Sequence, residues 1–547
     1  MADKEAPKMS FMSRLSYGVG HVLNDLTASM WFSYLLIYLH QVKNFNNKLA
    51  GDLMLIGQVS DAMATPFIGY ESDRTSGICK MGKRKSWHFI GTLCVIASFP
   101  FLFIGCITCD HAPDWAQLVY FIPFVVIFQF GWASTQISHL SLIPDLTPNE
   151  HERVGLNGLR YGFTVLSNLT VFGIAWLLLA LGSDSDTSNL SAEDAPKFRN
   201  LVFIVIGIGV VFSFIFHIGT KENRVNTVGL DPEFSQGRDA LDSGSSKYSG
   251  SLQRSSKSNK MKTTDWLKEP QFFQVGVLYM CTRLYVNLSQ VYLPMYLVET
   301  LQLNKTNIAI VPLIVYVCGF FTSLVMKPVN KLLGRKVTYI IGVVFAVGSC
   351  VWIHFITSSS TMQVFGAAVL MGIGGTTMLI TSLAMTADLI GDNTESGAFV
   401  YGAMSFTDKL SNGVAVEIIQ LLHPCVFHAP CMLKLDCCPL CIPFYRLVQS
   451  IVPGGFAILG FVTLLTLLPQ TLGSRWRDKV DITVSSGLQN GTIPASYDYD
   501  DEKSPLLRKS INPPPAVTGR PTSNSPHTTA ALHTSMNSPP VDVEPIW

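Results

Sequence analysis

The sequence predicts an all-α integral membrane protein of about twelve spans, arranged as two pseudo-symmetric six-helix bundles. Three observations predict it: the composition, the number and length of the apolar runs, and loops that repeat between the halves. Of 547 residues, 48% are hydrophobic and only 14% charged, with mean hydropathy +0.32. Soluble domains carry roughly 25% charged residues, so this composition belongs to the membrane class. A net charge of +1 gives no reason to expect nucleic acid as a partner.

The elements follow in order. The opening "MADKEAPKMSFMSR" is polar and lacks an apolar stretch before a cleavage site, so residues 1–14 are expected to be a cytosolic segment. A helix needs about 20 apolar residues to cross the hydrocarbon core. Such runs begin near Leu15, Leu49, Ser86, Ala116, Gly155 and Leu201, giving a first bundle over 15–219. A second set begins near Phe272, Ile308, Val337, Met362, Gly397 and Tyr445, giving a second bundle over 271–473. Between them, 220–270 contains "LDSGSSKYSGSLQRSSKSNKMK", whose Ser, Lys and Gly bury no core and predict a flexible cytosolic linker. Residues 474–547, with "NPPPAVTGRPTSNSPHTT", predict a disordered cytosolic tail.

Lysine and arginine orient the spans. Arg74, Lys80, Lys83, Arg84 and Lys85 follow span two, and Lys327, Lys331, Arg335 and Lys336 border the loop after span eight. The loops after spans three and nine carry none, so both termini are expected in the cytosol. Sequons at Asn189 and Asn304 then fall on the opposite side and are candidate glycosylation sites.

The halves echo one another. "GYESDRTSGICKMGKRKSWHFIG" resembles "GFFTSLVMKPVNKLLGRKVTYIIG", with Gly82 and Gly334 aligned 252 residues apart. "DLTPNEHE" and "DLIGDNTE" align Asp145 with Asp388, 243 residues apart. Two loops repeated at nearly one offset indicate a duplicated six-helix unit. That is the plan of a major facilitator transporter, whose halves rock around a midplane site.

Ionisable residues stand where lipid forbids them. Asp25 lies in span one, Asp61 in span two, Arg160 near the start of span five, Arg283 in span seven and Lys409 in span eleven. A charge facing lipid costs a few kcal/mol, so these should face the bundle interior and pair. Asp61 and Thr65 share a helix face by their spacing. An Asp61–Lys409 or Asp25–Lys409 bridge would cross between the halves and serve as an alternating-access switch, the simpler reading being a static pair that fixes helix register. His21 and His139 read as satisfied hydrogen-bonding residues. In the loop motif, Gly69 is expected to permit close helix approach. Asp73 and Arg74, with Gly82, Lys83, Arg84 and Lys85, form a candidate gating loop that bridges across the pseudo-twofold.

These residues carry a resemblance. "GYESDRT" with "MGKRK" resembles the signature loop of the major facilitator superfamily. "LSYGVGHVLNDL", "SDAMATPFIGYESDR" and "ADLIGDNTESGAFVYGAMSFTDK" resemble the glycoside–pentoside–hexuronide cation symporters. "FQFGWASTQISHLSLIPDL" and "TSLAMTADLIGDNTESGAFVYGAMSF" are more similar still to a vertebrate branch of lysosomal and melanosomal cysteine importers. The resemblance covers about residues 12–470. It implies a substrate-binding aspartate at Asp25, a cation-site carboxylate at Asp61 paired with Lys409, and a substrate-side arginine at Arg160. Two positions depart from the pattern: Thr65 replaces the second span-two carboxylate, and Gln136 replaces a sugar-gripping aspartate in span four. The first weakens the case for sodium, which wants several anionic oxygens, and the second weakens the case for sugar. Both suit a zwitterion, its carboxylate on Arg160, Arg283 or Lys409 and its ammonium on Asp25 or Asp61.

In the tail, "DYDDEKSPLLRK" presents Glu502, Leu506 and Leu507 as an acidic dileucine sorting signal for an adaptor complex. Cys425, Cys431, Cys437, Cys438 and Cys441 crowd the loop before span twelve, and Cys106 and Cys109 border the loop after span three. On a luminal face these predict disulfides. Cys79, Cys94, Cys281, Cys318 and Cys350 are expected to be packing residues or free thiols. No nucleophile–base set or metal cluster is legible, so no enzyme activity, metal or cofactor is expected. The expectation is a monomeric carrier importing cysteine into the lysosome or melanosome lumen. The alternatives are a proton- or sodium-coupled symporter of a sugar or other small solute, and a solute-sensing scaffold.

Overall fold

Among the described residues, twelve long helical segments take up the twelve apolar runs. In the computed structural model, α1 comprises Phe11–Gly18, a 3-10 turn at Val19–His21, Val22–Ile37 and a π turn at Tyr38–Val42. Next come α2 (Asn47–Arg74), α3 (Lys83–Ile104), α4 (Trp115–Leu146), α5 (Glu150–Ala180) and α6 (Ala192–Gly219). The second half has α7 (Pro270–Met295, then a π turn at Tyr296–Thr300), α8 (Asn307–Leu333) and α9 (Arg335–Phe355). It closes with α10 (Gln363–Ile390), α11 (Gly397–Leu421) and α12 (Cys441–Leu467). The structure describes residues 9–75, 77–78, 81–106, 112–147, 150–181, 190–222, 261, 263–357, 360–391, 393, 396–424 and 441–473. Among these no strand occurs.

Eight of the helices are long and apolar enough to cross a membrane by composition. The four that fall short are α1, α2, α7 and α11, and they carry Asp25, Asp61, Arg283 and Lys409. Low hydropathy here marks helices whose polar faces turn inward, away from lipid.

The duplication is visible in the backbone. Gly82 (φ +94°) and Gly334 (φ +77°) stand in the left-handed region at the start of α3 and α9. Just inside each helix a lysine reaches the open carbonyls of the last helix of its own half. Lys85 Nζ donates to His217 O (2.9 Å) and Thr220 O (2.6 Å). Lys336 Nζ donates to Leu467 O (2.8 Å), Leu468 O (3.0 Å) and Gln470 O (2.5 Å). Both ammonium groups sit where the helix dipole is negative. Arg84 faces Asp145 (3.8 Å) and Arg335 faces Asp388 (2.6 Å) in the same relation. The ends of α1 and α7 match as well. Each closes in a π turn and reverses through a non-glycine residue at positive φ, Asn44 (51°) and Gln302 (52°).

Two glycine substitutions separate backbone strain from crowding. Gly334→Ala meets nothing within 4 Å and should cost only the roughly 1–2 kcal/mol of a left-handed alanine. Gly82→Ala adds a Cβ that clashes with Glu222 Oε2, an oxygen already bonded to the Lys85 amide, and should lower the melting temperature further. Parallel thermal unfolding in detergent checks the order.

Several expectations need correction. The linker was expected to run to residue 270, but Met261 and 263–269 dock on the second half. Trp266 is buried and its Nε1 donates to Ser396 Oγ (2.8 Å), while the Met261 amide donates to Asn393 Oδ1 (3.1 Å). The opening segment turns helical at Phe11, and Arg14 pairs with Glu152 at 2.5 Å. The Thr147 hydroxyl (2.8 Å), the Met9 amide and Arg14 together hold the Glu152 carboxyl below its ordinary range. Gly69 does not mediate close approach, since a Cβ there would meet nothing within 4 Å. The tight approaches of α2 lie nearer its start: a Cβ on Gly51 would meet Glu417 Oε2 at 2.6 Å, and one on Gly57 would meet Trp31 at 2.6 Å. Cys106 is disulfide-bonded, and Cys94, Cys281, Cys318 and Cys350 are free. Cys79, Cys109 and four of the cysteines before α12 (Cys425, Cys431, Cys437 and Cys438) lie outside the described residues, as do Asn189, the 223–260 linker and the tail with Glu502, Leu506 and Leu507.

Candidate functional site

Between the halves lies a cavity of about 200 Å³ lined by α1, α2, α4, α5, α7, α8, α10 and α11. At about 30 Å³ per water, that is room for several waters or one small solute. The remaining helices, α3, α6, α9 and α12, contribute nothing to its lining and are among the eight apolar spans.

The central contact crosses the halves. Lys409 Nζ on α11 lies 2.7 Å from Asp61 Oδ1 and 2.8 Å from Thr65 Oγ1 on α2. Its ammonium also sits 5.3 Å from the Trp132 ring centroid, within cation–π range. Thr65 donates back to the Asp61 carbonyl (2.9 Å), which places its hydroxyl oxygen beside the carboxylate. The i, i+4 spacing read from the sequence thus aims two acceptors at one ammonium. The partners are buried, and a pair removed from water needs such additional bonds to hold.

A second pair was not anticipated. Arg283 Nε on α7 donates to Asp408 Oδ2 at 2.8 Å, and Asn287 Nδ2 reaches Asp408 Oδ1 at 3.3 Å. Asp408 and Lys409 are neighbours in sequence, and successive helical residues point about 100° apart. One therefore faces α7 while the other faces α2. The signal was available, because an arginine in span seven calls for a carboxylate at its own depth.

Asp25 does not meet Lys409. Its Oδ1 lies 2.9 Å from His21 Nδ1, and its Oδ2 accepts from Thr164 Oγ1 at 3.0 Å. Arg160 approaches Asp25 through that imidazole, with NH2 3.2 Å from His21 Nε2. Arg160 is buried behind His21 and does not line the cavity, so the expectation that it meets a substrate carboxylate is corrected. Gln136 lines the wall. His139 Nε2 bonds Tyr17 O at 2.8 Å while its Nδ1 is buried without a hydrogen-bond partner, so the expected satisfied histidine is satisfied at one nitrogen only; it stands away from the lining.

The candidate gating loop makes its described contacts within the first half. Arg74 lies over the ring of Tyr70 on its own helix, and Arg84 NH1 donates to Ser72 Oγ (2.7 Å). Gly82 and the Arg84 and Lys85 amides cradle Glu222. Lys83 sits at the start of α3, and the Asp73 side chain lies outside the described residues.

At the opposite end, where α1 stops and α2 begins, the halves are joined. Gln41 in the π turn of α1 bonds Glu299 in the π turn of α7. Lys305 Nζ lies 3.0 Å from Asp194 Oδ1, both buried, and Tyr445 OH lies 3.4 Å from His40 Nδ1. Asn304, beside that lysine, is exposed. Among the described residues these contacts hold the halves together at the far end.

A family model described as MFS/sugar transport protein matches residues 16–422. The chain belongs to that family. It is a multi-pass membrane transporter of the major facilitator type, not an enzyme. It is 50% identical over 473 residues to "Major facilitator superfamily domain-containing protein 12" of Equus caballus, covering 85% of this chain and 94% of that one. The protein of that name from Homo sapiens is 48% identical over 471 residues, covering 84% and 94%. Among solved structures, a D-xylose-proton symporter superposes with TM-score 0.58 at 14% identity, covering 85% of this chain and 99% of that one. An inward open xylose transporter from E. coli gives 0.54, also at 14% identity. At that identity the likeness shows the fold alone, and the major facilitator fold is what it shows.

Proposed function

We propose that this transporter moves a small zwitterion, cysteine foremost, across an endolysosomal or melanosomal membrane by alternating access, with both termini cytosolic and net import into the lumen. The observation that carries the reading is the charge balance of the site. Asp25, Asp61 and Asp408 stand against Arg160, Arg283 and Lys409, each within a bonded set. A cargo with net charge would enter a low-dielectric site without a counter-charge, whereas a zwitterion exchanges one neutral arrangement for another. Its ammonium suits Asp25 and its carboxylate suits Arg283, both of which line the cavity. Cysteine in particular comes from the resemblance to cysteine importers. Placement in endolysosomes rests on the sequence of the tail signal at Glu502, Leu506 and Leu507, and luminal glycosylation on the exposed Asn304.

An acidic lumen drives protons outward, so proton symport would export cargo. Import therefore fits uniport or exchange. Lys409 already supplies the cation beside Asp61, which argues against a sodium site there. Labelled-cysteine uptake into proteoliposomes tests this. Saturable uptake unchanged when choline replaces sodium, lost in Asp25→Asn and not abolished by collapsing a pH gradient, is expected. Sodium-dependent uptake, or uptake of a sugar in preference to cysteine, would favour a coupled symporter. Binding without flux would favour a sensor.

A further inference from the structure

The Arg160–His21–Asp25 chain leaves one imidazole between a buried cation and a carboxylate that faces the cavity. The hydrogen bonds fix its tautomer. A guanidinium can only donate, so Arg160 NH2, 3.2 Å away, makes His21 Nε2 an acceptor. Nδ1 then carries the hydrogen and donates it to Asp25 Oδ1 at 2.9 Å. Thr164 Oγ1 occupies Asp25 Oδ2 from the other side. The imidazole is buried, and Arg160 Nε has no hydrogen-bond partner. Around His21 stand Asp25 on α1, Arg160 on α5, His139 on α4 with ring centroids 5.7 Å apart and Tyr17 stacked on its ring, and His88 on α3.

We infer that His21 is a positioning residue of the ammonium-binding end of the cavity, a neutral imidazole through which buried Arg160 aims and polarises Asp25 for a cargo amine. This rests on the proposed zwitterion reading. The guanidinium polarises the imidazole, and the Nδ1–H fixes which lone pairs of Asp25 remain for cargo. A direct Arg160–Asp25 pair would use those lone pairs and pull the carboxylate out of the cavity. The inserted ring keeps the countercharge close while leaving the carboxylate at the wall.

His21→Ala should raise the KM for cysteine by about tenfold with little change in maximal rate. His21→Asn, whose amide nitrogen can replace Nδ1–H, should recover part of that loss. Arg160→Met should give a similar KM, and adding His21→Ala to it should cost nothing more, because the two act as one unit. Arg160→Met also frees Nε2 to take a proton, so a dependence of KM on pH should appear and vanish when His21→Asn is added. Arg160→Gln keeps a donor without the charge and serves if the methionine variant misfolds. Additive losses, or a pH profile unchanged by any Arg160 variant, would overturn the inference.

A second readout needs no transport. Nitrogen-15 NMR of histidine-labelled full-length protein, with His21→Asn supplying the assignment, should show a neutral ring protonated at Nδ1. Protonation at Nε2 or on both nitrogens would refute the chain. If this signature is present and cysteine is not carried, the zwitterion reading fails and the chain stands.

Discussion

Lys409→Ala should abolish transport and lower stability by about 3–5 kcal/mol, because it leaves the Asp61 carboxylate buried without its cation. Uptake in proteoliposomes and thermal unfolding in detergent measure the two effects. The informative comparison is the double substitution Asp61→Asn with Lys409→Met. It removes both charges, keeps most of the side-chain volume, and should restore most of the stability. A pair that only fixes helix register would regain transport along with stability. A pair that must part and re-form for the halves to rock would not, since the neutral replacement gives cargo nothing to compete with. We expect stability without transport. Recovery of both would remove the switch and leave a static contact between α2 and α11.

Joining the far end covalently should stop the carrier in the state seen here. Gln41 and Glu299 touch tip to tip across the halves from matching π turns, so Gln41→Cys with Glu299→Cys places two thiols a short, reducible bis-thiol linker apart. Cross-linking with such a reagent should remove nearly all uptake and reductant should return it, with either single cysteine variant unaffected by the reagent. The location follows from the local backbone. A π turn is a poor substitute for α-helical bonding, and positive φ at Asn44 and Gln302 adds strain of order 1–3 kcal/mol at each site. Such segments persist where the surroundings hold them, here through Gln41–Glu299 and the buried Lys305–Asp194 pair. Full transport by the cross-linked protein would show that the far end does not open during the cycle.

Much of this protein is determined by its sequence alone. Twelve helices, two halves and an inward set of charges follow from run length, the spacing of repeated loops and the cost of ionised groups in lipid, all of which act locally or on composition. The repeat read from Gly82 and Gly334 reappears as two positive φ angles for the same reason: both loops must turn sharply into a helix. Pairing could be narrowed but not chosen. The sequence left Lys409 open to Asp25 or Asp61, and the choice depends on which faces of α1, α2 and α11 meet, which no local pattern encodes.

Only the tertiary structure decided that His21 stands between Arg160 and the cavity, that Asp408 answers Arg283, and that Lys85 caps a helix. In each case the partner is 120 or more residues away in the chain and is selected by packing. Gly69 shows the converse. A small residue in a suggestive motif promised close approach, yet the crossing of α2 places the contacts at Gly51 and Gly57. Composition and periodicity fix what a helix must hide. Where its hidden groups find their partners is settled by the packing of all twelve together.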